Sequence, residues 1–264
     1  MKQNKIGLLL IIAGLILVAI PLYRWGSSMY FQRSALAALE NPAYEETFRI
    51  VRTTYPDGII FANIGAYADD DLAKRAVDMI EADALQIHLN VPQELMMSEG
   101  DTSFRGCRSR IAKIVHAVSV PVIVKEVGFG IAKEQAADLQ QLGVAAIDVG
   151  GKGGTNFMQI ERRRAHMKTS EDLVGWGIRT ALAVLEARTG ADAVDIIASG
   201  GINSGILAAK SLALGAGAVG VAGMAVKILL SEGQEMLIKR LQSILSELKI
   251  VMMMTGCSSI SDLH

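Results

Sequence analysis

From residue 59 to residue 220, short apolar runs alternate with stretches whose apolar side chains recur every three or four positions. The runs begin near Ile59, Ala84, Pro121, Ala145, Asp195 and Ala218. Each is short, apolar at nearly every position and closed by polar or glycine-rich residues, which predicts a buried strand. Between them the spacing is helical, as in Leu72, Ala76, Val77 and Ile80. Alternating strands and helices imply parallel strands joined by right-handed crossovers, in an open doubly wound sheet or a closed barrel. An open sheet gathers its polar clusters at one switch point, whereas here they end nearly every run. The pattern therefore predicts an α/β fold of the TIM (β/α)8 barrel type. A complete barrel has eight strands, so the runs leave it short, and the shortfall falls at the N-terminus.

The start of the chain has a different texture. Residues 6–23 carry no charge, Lys2 and Lys5 precede them and Arg24 follows, the outline of a signal anchor or membrane helix at the shortest usable length. Gly26, Ser27 and Ser28 form a weak cleavage-type site. The chain thus divides into an apolar leader over residues 1–28 and a barrel domain over residues 29–264. Cys107 and Cys257 stand far apart with no CxxC spacing, which favours a reducing cytoplasmic setting over a disulfide framework or zinc site. Anchoring through residues 6–23 is the alternative. With 26 basic and 27 acidic residues, no field favours nucleic acid. Residues 96–110 and 156–177 read as long functional loops, and the run Arg162, Arg163, Arg164 as either a solvated face or a phosphate contact. Residues 226–250 have helical spacing that suits barrel packing, and Met252, Met253 and Met254 read as core filler.

The chemistry lies at the ends of the runs. Ser199-Gly200-Gly201-Ile202-Asn203-Ser204-Gly205 opens a helix, and Gly220-Val221-Ala222-Gly223 follows one strand later. Two sets of backbone amides at helix starts suit a phosphate, as in the late loops of many barrels; tight turns are the plain rival. Residues 148–155 contain four glycines and Thr155, a density that lets a flat ring approach backbone. Lys125 would aim a cation into the same mouth and stabilise negative charge on a reduced flavin, unless Glu126 or Asp148 pairs with it. His88, Asn90, Gln93 and Glu94 cluster after the second run. Only His88 among them has an ordinary pKa near neutrality, so the cluster holds no strong acid–base pair.

Taken in order, Phe61-Ala62-Asn63-Ile64-Gly65-Ala66, residues 88–94, Val124-Lys125-Glu126-Val127-Gly128-Phe129-Gly130, residues 148–157 and residues 199–205 resemble type 2 isopentenyl-diphosphate isomerase. The resemblance runs from about residue 33 to residue 263. It implies an FMN barrel enzyme that uses reduced FMN and Mg²⁺, takes NADPH as its reductant, interconverts isopentenyl and dimethylallyl diphosphates, and assembles as a tetramer or octamer. It places Asn63, Lys125, Thr155, Gly200, Gly201, Ala222 and Gly223 at the flavin. His88, Asn90 and Gln93 fall at the diphosphate substrate, with Gln93 as the catalytic assistant, and Glu94 falls at Mg²⁺. The departure is N-terminal: the family's basic Arg-Lys and His segment and its Met-Thr-Gly-Gly strand do not occur here, and Ser27, Ser28 and Arg33 are weak candidates for diphosphate contact. A flavin-binding barrel without isomerase activity, anchored or truncated, is one alternative. An FMN-dependent 2-hydroxyacid oxidoreductase is the other, although that class places a catalytic His beside an Arg on the late loops, where only His166 occurs.

Overall fold

Strands form where the apolar runs lie: β1 Phe61–Gly65, β2 Ala84–His88, β3 Val122–Lys125, β4 Ala146–Asp148, β5 Asp195–Ser199 and β6 Ala218–Gly220. They belong to a computed structural model that describes residues 45–264, other than 90, 99 and 166–169. The leader, the expected domain boundary, Ser27, Ser28, Arg33, Asn90 and His166 lie outside the described residues. The strands form one parallel sheet in the order β1-β2-β3-β4-β5-β6. A doubly wound sheet reverses direction at its switch point; strictly sequential neighbours make a barrel wall.

Side chains alternate across this wall, as period two requires. The face with Ala62, Ile64, Leu85, Ile87, Val122, Val124, Ile147 and Ile196 packs into the main core with the helices. Several of these are wholly buried, each worth about 1.5–3 kcal/mol of transfer free energy. The opposite face holds Phe61, Ala84, Ile123, Ala146 and Ile197 in a small separate cluster, and polar side chains stand above them at the carboxyl ends.

The covering helices are α1 Glu45–Thr54, α2 Asp70–Met79, the single turn α3 Val91–Glu94, α4 Cys107–Ala117, α5 Lys133–Gln141, α6 Phe157–Arg164, the short α7 Glu171–Val174, α8 Thr180–Gly190, α9 Gly205–Ala213, α10 Gly223–Glu232 and α11 Gln234–Met254. Their starts follow sequence signals: Asp69 accepts the amide of Leu72 at 2.8 Å, and Ser204 that of Leu207 at 3.3 Å. The reading of residues 156–177 as a loop is corrected here, since α6 and α7 occupy it. Each is too short to display an apolar period, yet Asn156 caps α6 by accepting the amide of Gln159 at 2.9 Å, and Ser170 caps α7. Helix α11 does pack on the barrel through Leu237, Ile244 and Leu248. Of the three methionines read as core, only Met252 packs against it; Met253 and Met254 are about 80% exposed. No helix among the described residues is long and apolar enough to cross a membrane.

Candidate active site

The strand register sets four side-chain positions in one row along the carboxyl edge: Gly65 beside His88, His88 beside Lys125, and Lys125 beside Asp148. All lie on the inner face. His88 Nδ1 shares a 2.8 Å hydrogen bond with Asn63 Oδ1, which fixes the ring plane. Burial, and then the Lys125 cation, lower the His88 pKa from 6.5 to about 4. The imidazole is therefore neutral near pH 7 and brings no charge to the mouth. Gly65 keeps that ring accessible, because a Cβ there would lie 3.4 Å from Nε2.

Lys125 supplies the cation. Both carboxylates that could neutralise it are engaged: Asp148 Oδ1 accepts the Gly150 amide at 3.1 Å and the Ser199 hydroxyl, and Glu126 Oε2 accepts four backbone amides. Among the described residues Lys125 forms no ion pair with either of them. An unneutralised ammonium on the inner face remains available to an electron-rich ring.

Gln93 and Glu94 end α3. Gln93 is buried, and its Nε2 donates to Glu161 Oε1 at 3.2 Å. Glu161, on α6, is only 1% exposed and also accepts Arg164 Nε at 2.6 Å. A buried carboxylate requires such partners, and the three groups lock the Gln93 amide in one orientation. Arg162 pairs with Glu171 at 2.7 Å, so two of the three arginines, Arg162 and Arg164, serve ion pairs on α6 and α7. Glu94 is half-buried, and its Oε2 accepts the Asp101 amide at 3.0 Å. No group of three or more His, Cys, Asp or Glu converges as a metal cage among the described residues. Glu94 as a single carboxylate nevertheless fits Mg²⁺, which commonly takes one or two carboxylates and completes its shell with phosphate and water.

The glycine loops interlock. A Cβ on Gly200 would lie 2.1 Å from the Gly151 carbonyl, one on Gly201 2.2 Å from that of Gly153, and one on Gly153 2.8 Å from that of Gly200. Gly200 and Gly201 also have φ of +105° and +81°. Backbone packed on backbone thus accounts for much of the glycine density, and the result is a smooth shelf joining the β4 and β5 loops. The two helix starts beside it differ. Helix α9 is already satisfied, with Ser204 as its cap and Glu247 Oε2 accepting the Gly205 amide at 2.7 Å. Helix α10 has no side-chain cap after Ala222, and a Cβ on Gly223 would stand 3.2 Å from Thr155 Oγ1. Open amides, a hydroxyl and the helix dipole together fit an anion. These groups and the neighbouring shelf are of a kind that would hold the phosphate and the flat ring of FMN.

Residues 70–264 match the family model of the FMN-dependent dehydrogenases. The chain belongs to this family. It is 49% identical over 232 residues to the isopentenyl-diphosphate delta-isomerase of Geobacillus sp. (strain WCH70), a match covering 88% of this chain and 66% of that protein. With the isopentenyl-diphosphate delta-isomerase of Moorella thermoacetica the identity is 47% over 230 residues, covering 87% and 66%. The chain thus spans just under two thirds of the length of these relatives. A mandelate oxidase mutant carrying a monooxide FMN adduct superposes with a TM-score of 0.60 at 19% identity, over 83% of this chain and 64% of that one. That likeness shows the shared barrel fold of the FMN-dependent family.

Within this FMN-dependent barrel, the structure brings Asn63, His88 and Lys125 together on the inner face, and Thr155 beside Gly223. Gln93 and Glu94 sit on α3 at the same end of the wall. Three residues escaped the sequence reading. Glu161 was concealed in the arginine run, although its spacing of three from Arg164 is an ion-pair signal on a helix. Glu247 reaches α9 from 42 residues away and has no local signal. Glu126 stands in the sequence as part of the 124–130 motif and as a rival partner for Lys125, with nothing to show the four amides it meets.

Proposed function

We propose that the chain binds FMN between the glycine shelf and Lys125 and, with the flavin reduced and Mg²⁺ present, interconverts isopentenyl and dimethylallyl diphosphates. The observation that carries this reading is that Lys125, on the inner face, has no ion-pair partner among the described residues, while α10 next to the shelf has no side-chain cap. The 49% identity to an isomerase supports the choice of reaction.

Moving a double bond by one carbon requires a proton added at one carbon and another removed nearby. None of Asn63, His88, Lys125, Gln93 and Glu94 forms an acid–base pair suited to that, since the His88 imidazole is held neutral. Bound reduced FMN would supply that acid–base chemistry at the migrating double bond. Lys125 balances negative charge at the ring, and Gln93, held by Glu161, orients the allylic carbons. Asn63 sets the His88 ring beside the substrate, with Asn90 next along the chain. Glu94 holds Mg²⁺ against the diphosphate. The amides of Gly200, Gly201, Ala222 and Gly223 take the flavin phosphate, and residues 150–155 of the shelf lie against the ring. NADPH as reductant, a cytoplasmic setting and a homotetramer or homo-octamer complete the reading.

The test is turnover of isopentenyl diphosphate by the full chain with FMN, dithionite and Mg²⁺, followed as dimethylallyl diphosphate formed. Glu94→Gln should raise the Mg²⁺ requirement about tenfold or more while FMN stays bound, since the lost charge sits on the metal. Gln93→Leu should lower kcat with little change in KM. Wild-type protein that binds no flavin, or that binds it and oxidises 2-hydroxy acids instead, would overturn the reading.

A further inference from the structure

The turn after β3 is an anion nest. Gly128 and Gly130 have φ of +123° and +81°, and this alternation points successive amides inward, the geometry that elsewhere cradles phosphates and clusters. Its occupant is the chain's own Glu126. One oxygen, Oε2, accepts the amides of Val127 at 3.0 Å, Gly128 at 3.0 Å, Phe129 at 2.5 Å and Gly130 at 3.2 Å. Glu126 is 8% exposed, and burial pushes its pKa up to about 7 while the four amides pull it down. Among the described residues this buried carboxylate caps no helix and forms no ion pair.

The turn it shapes touches the Lys125 side of the proposed flavin site and the 148–155 loop. The Gly130 amide also reaches the Gly150 carbonyl at 3.3 Å, and the Glu126 amide that of Asp148 at 3.4 Å. A Cβ on Gly150 would lie 2.7 Å from the Glu126 carbonyl, and one on Gly128 2.6 Å from the Thr155 carbonyl. The Ile178 amide donates to Phe129 O at 2.7 Å, and the Lys152 amide to Ile178 O at 2.8 Å. Lys125 is the residue immediately before Glu126, so tilting this turn tilts the end of β3.

We infer that Glu126 is a positioning residue: its carboxylate fills the nest of residues 127–130 and so holds Lys125 and the 150–155 shelf ready for the flavin before any flavin binds. This rests on the FMN reading above, but it concerns the apoprotein. At pH 8, above the Glu126 pKa, the carboxylate is ionised and the nest is charge-specific, because four converging N–H dipoles favour an anion over a neutral amide of the same shape.

Hydrogen exchange of the apoprotein tests it first. The amides of residues 127–130 should be protected in wild-type apoprotein to the same degree as β3 itself; exchange at the rate of an exposed loop would overturn the inference without any variant. Glu126→Gln should then speed exchange at those amides about tenfold or more, weaken FMN binding at least tenfold, and shift the visible band of whatever flavin binds. In a Lys125→Met background the band shift caused by Glu126→Gln should vanish, since the effect on the ring passes through Lys125. A spectrum and affinity unchanged by Glu126→Gln would refute the role. If wild-type protein bound no FMN, the functional reading would fall, and the exchange data would still decide the nest.

Discussion

The two faces of the barrel wall are built from the same strands and do opposite work. Outward positions carry aliphatic side chains from end to end, and Leu85, Ile87, Val124 and Ile147 are wholly buried against helices. Inward positions are apolar only toward the amino ends of the strands and become Asn63, His88, Lys125, Asp148 and Ser199 at the carboxyl ends. Burial makes the outer face the source of stability. The inner carboxyl edge contributes little to it and instead collects groups whose charges are either satisfied, like Asp148, or left unsatisfied, like Lys125. A face whose cation has no ion-pair partner among the described residues has not been optimised for folding.

The largest expected effect comes from cutting the outer face. Ile147→Ala should destabilise the protein by about 2–5 kcal/mol, through lost transfer energy plus a cavity that the close-packed layer cannot refill. Urea denaturation measures it. Lys125→Met, one strand over and on the inner face, should cost under about 1 kcal/mol while changing flavin affinity. Comparable losses for both would break the contrast between the faces.

Glu161 sharpens it from the other side, as a functional neighbour paid for in folding energy. Glu161→Gln leaves an acceptor for Gln93 but removes the charge opposite Arg164, and should cost about 1–3 kcal/mol. Arg164→Met should cost a similar amount, and the double variant less than the sum. Strict additivity in the double-mutant cycle would mean that the 2.6 Å contact contributes nothing.

The outer face was largely legible in the sequence, because an aliphatic run bounded by glycine and polar residues has few other readings. All six strands begin within two residues of where the runs start. The inner row was legible at His88 and Lys125, since each ends a run. What escaped notice depends on contacts between distant segments. Glu247 meets Gly205 across 42 residues and Gln93 meets Glu161 across 68, and neither pairing has a period or a motif. The glycines are legible as unusual but not in their cause: a ligand and a facing loop leave the same signature, and the loop is identified by the Gly151 carbonyl, which a Cβ built on Gly200 would meet at 2.1 Å.

His88 offers a smaller effect with a definite sign. Its folded pKa, about 4, lies below its ordinary 6.5, so the folded protein resists the proton that the unfolded chain accepts. Above pH 6.5 the two states are equally neutral and nothing is lost. As pH falls from 6.5 toward 4 the unfolded state binds more protons, and stability should decline. His88→Gln should remove that part of the decline. Because burial is the main cause and Lys125 the second, Lys125→Met should reduce the slope only slightly. An unchanged acid profile in His88→Gln would place the ring in solvent rather than in the wall.

The smallest effect on folding should accompany a large one on binding, at α10. Gly201→Asp would seem the natural way to repel a phosphate, but its Cβ would lie 2.2 Å from the Gly153 carbonyl, so lost binding could reflect a displaced loop. Gly223→Asp separates the two causes. Its nearest obstacle is the Thr155 hydroxyl at 3.2 Å, and Asp at the first position of α10 complements the helix dipole, worth about 0.3–1 kcal/mol in favour of folding. The same charge competes for the amides that the phosphate would use. Thermal melting should therefore show Gly223→Asp at or slightly above wild-type stability, while flavin titration shows FMN binding weakened at least about tenfold, and riboflavin, which lacks the phosphate, bound as before. Equal weakening toward both flavins would move the phosphate away from α10 and leave the cofactor to the shelf and Lys125.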